Sequence, residues 1–407
     1  AGAPLPNRPY RLKARLKGGA QRLALEGIEA GIGNSDLGGK ASFVLSGRRP
    51  AISADLSSSL IDLADFTPPE TDKKAEKPKA DGDGKKAARK RLFSADPLPL
   101  AALGAADADI KIRIKRILAK NIAVTDVAVD LTLKDGKLTV RPLKAVFAKG
   151  VITGNVEVDT RGKTAKVTAM LSVKKLDIAA LLKELNQEAL ASGQIDFYTR
   201  LRGDGNSVQT IMAGAGGRLN IVSGKARVNS KYVDLLGADL LQVATSTGDT
   251  RVNCLVARFN IVNGVAKDSG ILFDTERMSV RGEGTINLRT EALDLKFTPK
   301  PKDASLINIA LPWRVRGTLM DPSVSPDEAS VVKEAAGLLL FGPISLLGSM
   351  VTTGTGDQNP CVAALEAKPA SPTTGTTQKK PAPEEKKGGI EGFFEDIGKS
   401  LKGIFGN

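Results

Sequence analysis

The chain has 407 residues, of which 41% are hydrophobic, so it can bury a large core and form more than one domain. Its net charge is +14, but only three Tyr and one Trp are available to stack on bases, so we predict no nucleic-acid partner. There is no His, which removes the usual acid–base group and the commonest metal ligand, and no nucleophile–base pair stands out by spacing; we predict a non-enzyme with no catalytic residues, metal or cofactor.

Alternation of apolar and polar residues begins near the N-terminus. Tyr10, Leu12, Ala14 and Leu16 alternate with basic residues, and similar segments continue to residue 64. A period of two predicts strands with one apolar and one polar face. We therefore predict an N-terminal β segment over residues 1–66. The charged, Pro-rich stretch 67–92 is predicted to be a disordered insertion. Its basic run, 85–91, fits a solvated loop better than a contact with anionic lipid.

The longest series of strand-like segments occupies residues 93–325. The turn sequences around Asp135-Gly136 and Arg161-Gly162 join neighbouring segments closely, which favours antiparallel meanders. An internal repeat aligns residues 47–57 with 162–172, and the same offset places Gly39 on Gly154; a weaker third copy, 280–297, has Gly282 in that place. Two short helices are predicted within this region, at 176–191 and 231–245.

The C-terminal part has a different composition. We predict an apolar helical region over 326–365, which is a little too short to span a bilayer, and a disordered linker over 366–389. Residues 390–407 are predicted to form an amphipathic helix. Its apolar face would contact a membrane or a partner's groove, or pack back on its own domain. The residues of that face are Ile390, Phe393, Phe394, Ile397, Leu401, Ile404 and Phe405.

The two cysteines, Cys254 and Cys361, are too few for a zinc site in a chain without His. A single pair suits one disulfide in an oxidising compartment, and we predict this bond. The alternative is two unrelated buried thiols.

The fold depends on what covers the apolar side of the strands. Two sheets could pack face to face in a sandwich. A long sheet could instead curl into an open trough lined by aliphatic side chains. We predict the second arrangement: a mainly β fold with a long curled antiparallel sheet, an elongated hydrophobic groove, a few short helices and a C-terminal helical region. The predicted groove residues are Ile112, Ile114, Val129, Leu131, Val140, Val156, Val158, Ala169, Leu171, Ile195, Phe197, Leu219, Ile221, Ile261, Phe273, Ile286, Leu288, Leu293, Leu295 and Phe297.

Several motifs resemble those of the bacterial AsmA-like proteins. They are the run 93–100 followed by Leu103 and 106–109, Asn121-Ile122 with the turn 135–138, and the segment 253–261 with Asn359-Pro360-Cys361. The resemblance covers residues 10–365. The chain departs from the family pattern in its missing N-terminal anchor, its charged insertion and its C-terminal linker and helix.

The resemblance implies a periplasmic protein, anchored in the inner membrane by an N-terminal segment not present in this chain. It also implies a bridge-like β groove that carries phospholipid acyl chains between the inner and outer membranes and supports outer-membrane lipid homeostasis. The implied partners are phospholipids, the two membranes and envelope proteins. The alternative is a scaffold or assembly factor for outer-membrane proteins, which would recruit them by strand addition at a sheet edge.

Overall fold

A computed structural model describes residues 8–66, 91–230, 248–302 and 312–327. Most of the predicted insertion (67–92) and the predicted helix 231–245 lie outside these residues. So do nearly all of the apolar helical region 326–365, the linker 366–389 and the amphipathic helix 390–407. In the described part, no helix has the length and apolarity needed to cross a membrane.

The described chain is mainly β, as predicted, and its eighteen strands belong to one mixed sheet. The first eleven strands are β1 (Tyr10–Gly19), β2 (Arg22–Ile32), β3 (Ser35–Val44), β4 (Ala51–Ser58), β5 (Ile61–Asp62), β6 (Asp107–Ala119), β7 (Ile122–Lys134), β8 (Lys137–Phe147), β9 (Gly150–Asp159), β10 (Ala165–Asp177) and β11 (Ala191–Gly205). The remaining seven are β12 (Gly216–Asn229), β13 (Asp249–Val262), β14 (Val265–Thr275), β15 (Met278–Asn287), β16 (Ala292–Pro301), β17 (Trp313–Thr318) and β18 (Pro322–Pro326).

The helices of the described residues are short. They are α1 (Leu100–Ala105), α2 (Ile178–Glu184), α3 (Val208–Ala213) and a 3₁₀ turn (Leu63–Phe66). The prediction of a helix over 176–191 was too long, since α2 ends at Glu184. Asp177 caps its first turn by accepting from the Ala180 N–H, and Asn186 follows it with a left-handed φ of 54°, a conformation that stops a helix.

The chain forms two compact units. Unit 1 comprises Ala1–Asn186 and Thr199–Met212, and unit 2 comprises Gln187–Tyr198 and Ala213–Asn407. In unit 1, neighbouring strands pair antiparallel except where β4 and β5 pair parallel with β6. The predicted antiparallel arrangement therefore holds for the described strand pairs except at these two parallel pairings. The strand that follows β5 in the sequence, β6, begins at Asp107 and runs in the same direction as β4. In unit 2, β12 to β18 form a continuous antiparallel meander.

The predicted tight turn at Asp135-Gly136 is confirmed. Lys134 pairs with Lys137, and both turn residues have positive φ, 48° and 72°. Two consecutive left-handed residues give a turn whose twist matches that of the flanking strands, and Asp-Gly tolerates this conformation. The local sequence therefore determines where β7 reverses into β8.

The internal repeat also appears in the strand register. Gly39 lies opposite Leu56, and Gly154 lies opposite Leu171, as the alignment of the two copies requires. In the third copy Gly282 lies opposite Phe297. A Cβ at Gly154 would lie 2.6 Å from Cδ2 of Leu171, and one at Gly282 would lie 2.8 Å from the ring of Phe297. In these two copies the large side chain lies over the glycine of the neighbouring strand.

A buried carboxylate fixes the chain where it leaves β5. Asp65 is 1% exposed and accepts hydrogen bonds from the N–H of Asn34 (2.8 Å) and from the N–H (3.0 Å) and hydroxyl (2.8 Å) of Ser35. Burial raises the pKa of Asp65, but these hydrogen bonds, that of the Ser35 hydroxyl foremost, outweigh it and hold the pKa below its ordinary value.

This lowered pKa makes the stability of unit 1 depend on pH. The ionised form of Asp65 is favoured by folding, so its contribution is present above the unfolded pKa of about 3.9 and is lost as pH falls through the lower folded pKa. We expect Asp65→Asn to lower the melting temperature at neutral pH and the difference from wild type to shrink below about pH 4. Melting curves across pH test this. Asp204→Asn, at an exposed position, is the matched control and should have little effect at neutral pH. A difference that stays constant down to pH 2 would contradict the assignment.

Candidate functional site

The strand register of unit 1 brings apolar side chains into continuous rows across the sheet. Residues that pair across neighbouring strands point to the same face. Three rows of such partners follow, and together they define the apolar face of unit 1. The first row is Gly18, Leu23, Phe43, Ile52, Ala108, Leu133, Leu138, Val158 and Val167. The second is Leu16, Leu25, Ala41, Ala54, Ile110, Leu131, Val140, Val156 and Ala169. The third is Ile28, Gly39, Leu56, Ile112, Val129, Leu143, Gly154 and Leu171.

The apolar face of unit 1 is only half-buried. Leu133, at 8% exposure, is its one buried member, whereas Leu16 is 64% exposed and nearly all the others are intermediate. Neighbours within the sheet account for partial burial of this kind, and a second layer packed on the face would bury its central residues fully. No described element of unit 1 forms such a layer, because its helices have at most seven residues.

The opposite side of the same strands is polar. One row on it consists of Ser42, Ser53, Asp109, Thr132, Thr139, Glu157 and Thr168. Beside that row, Arg113 forms an ion pair of 2.5 Å with Asp130. The hydrogen bond from Arg113 lowers the pKa of Asp130 and so favours its ionised form. The sheet of unit 1 therefore has a charged, water-facing side and an uncharged aliphatic side.

Most of the predicted groove residues of unit 1 lie on this face. The first row contains Val158. The second contains Leu131, Val140, Val156 and Ala169, and the third contains Ile112, Val129 and Leu171. On the same face of β6, Ile112 is followed by Ile114. Two further predicted residues, Ile195 and Phe197, belong to unit 2 and occupy alternate, half-buried positions of β11.

The prediction omitted Leu143, which belongs to the third row. A bulge between Val140 and Leu143 adds one residue to β8, so the alternation that starts at Val140 changes phase. Pro142 lies within this bulge and is the sequence signal that could have revealed it. The first four strands also supply members of every row, which the predicted list left out although their alternation had been recognised.

Unit 2 carries apolar rows of its own. One contains Gly217, Ile261, Ala266, Ile286, Leu293, Gly317 and Pro322, and another contains Ile221, Ala257, Ile271, Gly282, Phe297, Trp313 and Pro326. Among the other predicted residues, Phe273 pairs with Val280, Leu219 with Phe259, and Leu295 with Gly284 and Val315. Leu288 follows the last residue of β15 and is 8% exposed.

Unit 2 differs from unit 1 in how completely these residues are buried. Phe259, Ile261 and Val280 are 5%, 6% and 2% exposed. Phe297 and Trp313 stack with ring centroids 4.2 Å apart. On the other face, Val256 (0% exposed) packs with Cys254, Leu272 and Val222. Unit 2 thus contains packed clusters on both sides of its strands, and the open aliphatic surface is a property of unit 1.

The other predicted sites are the disulfide between Cys254 and Cys361 and the membrane-contact residues of the C-terminus. Cys254 is 3% exposed in β13, but Cys361 lies outside the described residues, so the disulfide stays a prediction. The predicted membrane-contact residues, 390–405, lie outside them as well. Within the described ranges, no group of His, Cys, Asp and Glu side chains could hold a metal ion.

A large sheet with one charged side and one open aliphatic side, as in unit 1, defines a class of β protein with an exposed apolar face. The chain belongs to the AsmA family, whose model matches residues 8–270. It is 27% identical over 355 residues to the AsmA family protein YhjG of Escherichia coli (strain K12), an alignment that covers 83% of this chain. The chain spans about half, 52%, of the length of that relative. No solved structure is significantly similar to it. Proteins of this family are associated with the bacterial envelope and its lipids.

Proposed function

We propose that this chain binds phospholipid acyl chains on the apolar face of unit 1 and carries them between the inner and outer membranes of the envelope. The observation that carries the proposal is the set of three unbroken apolar rows, eight or nine strands long, in which only Leu133 is buried. A water-soluble surface rarely exposes apolar area of this extent unless it binds something apolar. Family membership supports the same class of ligand.

The chemistry of the face suits alkyl chains. Its members are aliphatic residues and glycines with a single aromatic side chain, Phe43, and no polar group that would select one position along a chain. Each methylene transferred from water onto such a surface contributes about 0.8 kcal/mol, so a long acyl chain binds through many equivalent contacts. A ligand held in this way shifts along the rows without breaking any specific bond. The face therefore fits transport better than tight binding at one point.

Lipid uptake tests this proposal directly. Protein purified without detergent should contain acyl-bearing lipid that native mass spectrometry detects. The delipidated protein should take up fluorescent phospholipid from donor vesicles and pass it to acceptor vesicles. Heat-unfolded protein at the same concentration is the control for non-specific extraction. Protein that is free of lipid and inert in both assays would contradict the proposal.

One observation favours a second candidate function, a scaffold for outer-membrane proteins. Strand β1 pairs with β2, and all ten of its residues are exposed, with Tyr10 at 68% and Leu12 at 74%. An edge strand of this kind offers free backbone groups to a strand of another protein. Pro substitutions at Lys13 and Lys17 of the same strand, which lie outside the apolar rows, would then abolish capture of barrel proteins from envelope extracts and leave lipid uptake unchanged. Loss of lipid uptake with capture intact would favour the lipid function.

A further inference from the structure

One end of the unit 1 sheet collects several of its turns. Strand pairing places eight residues at the same end of their strands. They are Arg22, Val44, Ala51, Asp107, Lys134, Lys137, Asp159 and Lys166. The turns β3–β4, β7–β8 and β9–β10 therefore project from one end of the sheet. Hydrogen bonds join them to each other and to β6: the Asp135 N–H donates to the Asp107 carboxylate at 3.0 Å, and the Thr160 N–H donates to the Gly136 carbonyl at 3.0 Å.

The acidic side chains of this end are already paired. Arg49 binds Asp135 at 2.7 Å, Arg161 binds Asp159 at 2.6 Å, and Lys137 lies 3.3 Å from Glu157. The hydrogen bonds from Arg161, that of its side chain foremost, hold the pKa of Asp159 far below its ordinary value, so this carboxylate stays ionised and occupied.

Five basic side chains remain at this end, and we call them the basic rim: Arg22, Arg48, Lys134, Lys163 and Lys166. All five are exposed, and none forms an ion pair with another described residue. Their positive charge is therefore available to a ligand.

The opposite end of unit 1 also carries charged groups of both signs. Its carboxylates accept backbone N–H groups: Asp36 binds those of Ser59 and Leu60, and Asp177 binds that of Ala180. Lys149 is paired with Asp177 at 3.1 Å. That end also carries exposed basic side chains outside these pairs, Lys115, Arg116, Lys120 and Lys174, and it therefore serves as a charge-matched comparison for the basic rim.

The basic rim also borders the apolar face. Lys134 follows Leu133, and Lys166 precedes Val167, both of which are members of the first apolar row. These two lysines start on the polar side of the sheet. They lie at or beside the strand ends, so their flexible stems can reach past the edge and keep the ammonium groups in water. An amphiphile with its chains on the apolar face and an anionic head at this edge would satisfy both surfaces.

We propose that the basic rim holds the phosphate-bearing headgroups of anionic phospholipids whose acyl chains lie on the apolar face of unit 1. This rests on the proposed function and adds the class of lipid that the site prefers. Exposed charge pairs are each worth roughly two- to fivefold in affinity and are screened by salt. Four or five of them acting together on one headgroup region give an expected preference of about tenfold at low salt.

A competition experiment tests the headgroup preference. Delipidated protein is incubated with equal amounts of phosphatidylglycerol and phosphatidylcholine that have identical acyl chains, and the bound lipids are quantified by mass spectrometry. We expect wild type to select phosphatidylglycerol about tenfold, and less in high salt. The quadruple variant Arg48→Gln, Lys134→Gln, Lys163→Gln, Lys166→Gln should bind both lipids equally and take up phosphatidylcholine like wild type.

A charge-matched control separates the basic rim from net charge. The variant Lys115→Gln, Arg116→Gln, Lys120→Gln, Lys174→Gln removes four exposed positive charges from the other half of the sheet and should keep the preference. Equal loss in both variants, or an unchanged preference in the rim variant, would overturn the proposal. Displacement of the bound anionic lipid by glycerol phosphate would overturn it in favour of a free-phosphate site. The rim variant could also lose flotation with anionic vesicles and keep the preference for phosphatidylglycerol. That result would overturn the proposal and show that the basic rim docks the protein on a membrane. If wild type takes up neither lipid, it is the proposed function itself that fails.

Discussion

Replacing Leu131 with Glu is expected to lower phospholipid transfer by at least tenfold while the protein stays folded. Leu131 lies in the middle of the second apolar row, between Ile110 and Val140, and is half-buried. In the lipid-free protein the new carboxylate can remain hydrated, because the face is open. When acyl chains cover it, the carboxylate must lose water without gaining a partner, which costs several kcal/mol. In the proposed transport, the second apolar row would then contain a barrier to alkyl chains.

Transfer of fluorescent phospholipid between vesicles measures the effect, and a melting curve confirms folding. The matched control is Thr132→Glu, one residue away on the polar side and exposed. Its cross-strand neighbour Asp109 adds a small repulsion, worth a few tenths of a kcal/mol, and leaves the apolar rows unchanged. Leu171→Glu extends the test to β10. Wild-type transfer by Leu131→Glu would show that the lipid path lies elsewhere.

The strands and their turns could be predicted from the sequence because both depend on local chemistry. Alternation such as that of Ile110, Ile112 and Ile114 predicts which residues share the apolar face of β6, and this prediction does not require the neighbouring strands to be known. The Asp135-Gly136 turn specifies its own reversal. The three helices behave differently. The six-residue α3 has no apolar period long enough to recognise, and its start depends on a Ser207 hydroxyl that accepts from the Thr210 N–H.

The candidate site could not be predicted in full, because it depends on the strand register, and local sequence patterns do not determine that register. Strand β6, which begins at residue 107, pairs parallel with β4, and the two strands are far apart in the sequence. The bulge at Pro142 shifts which residues of β8 share a face with Val129. Both features decide which side chains meet in a row. Alternation also does not predict whether a second layer covers those rows, because alternating strands occur in open sheets and in sandwiches alike.

Unit 2 shows how much a covered strand differs from an open one. Val256 is 0% exposed, lies between Val222 and Leu272 in the register, and packs with Cys254. Asp at this position would bury a carboxylate with no basic partner in the cluster. We expect Val256→Asp to destabilise unit 2 by about 4 kcal/mol or more, which is a large part of the 5–15 kcal/mol that stabilises an ordinary domain. Denaturant unfolding and hydrogen exchange in β12 to β14 measure the loss.

The matched control for this substitution is Asn260→Asp, at an exposed position of the same strand opposite Lys267, which should change stability little. Val256→Asp and Leu131→Glu introduce the same kind of charge at the centre of a strand. They should nevertheless give opposite outcomes, unfolding in the first and a folded protein that fails to transfer lipid in the second. This difference arises because protein atoms cover Val256, whereas no described element covers Leu131 and its proposed cover is a ligand. If Leu131→Glu unfolds unit 1 as completely as Val256→Asp unfolds unit 2, the apolar face of unit 1 is an ordinary core and holds no lipid.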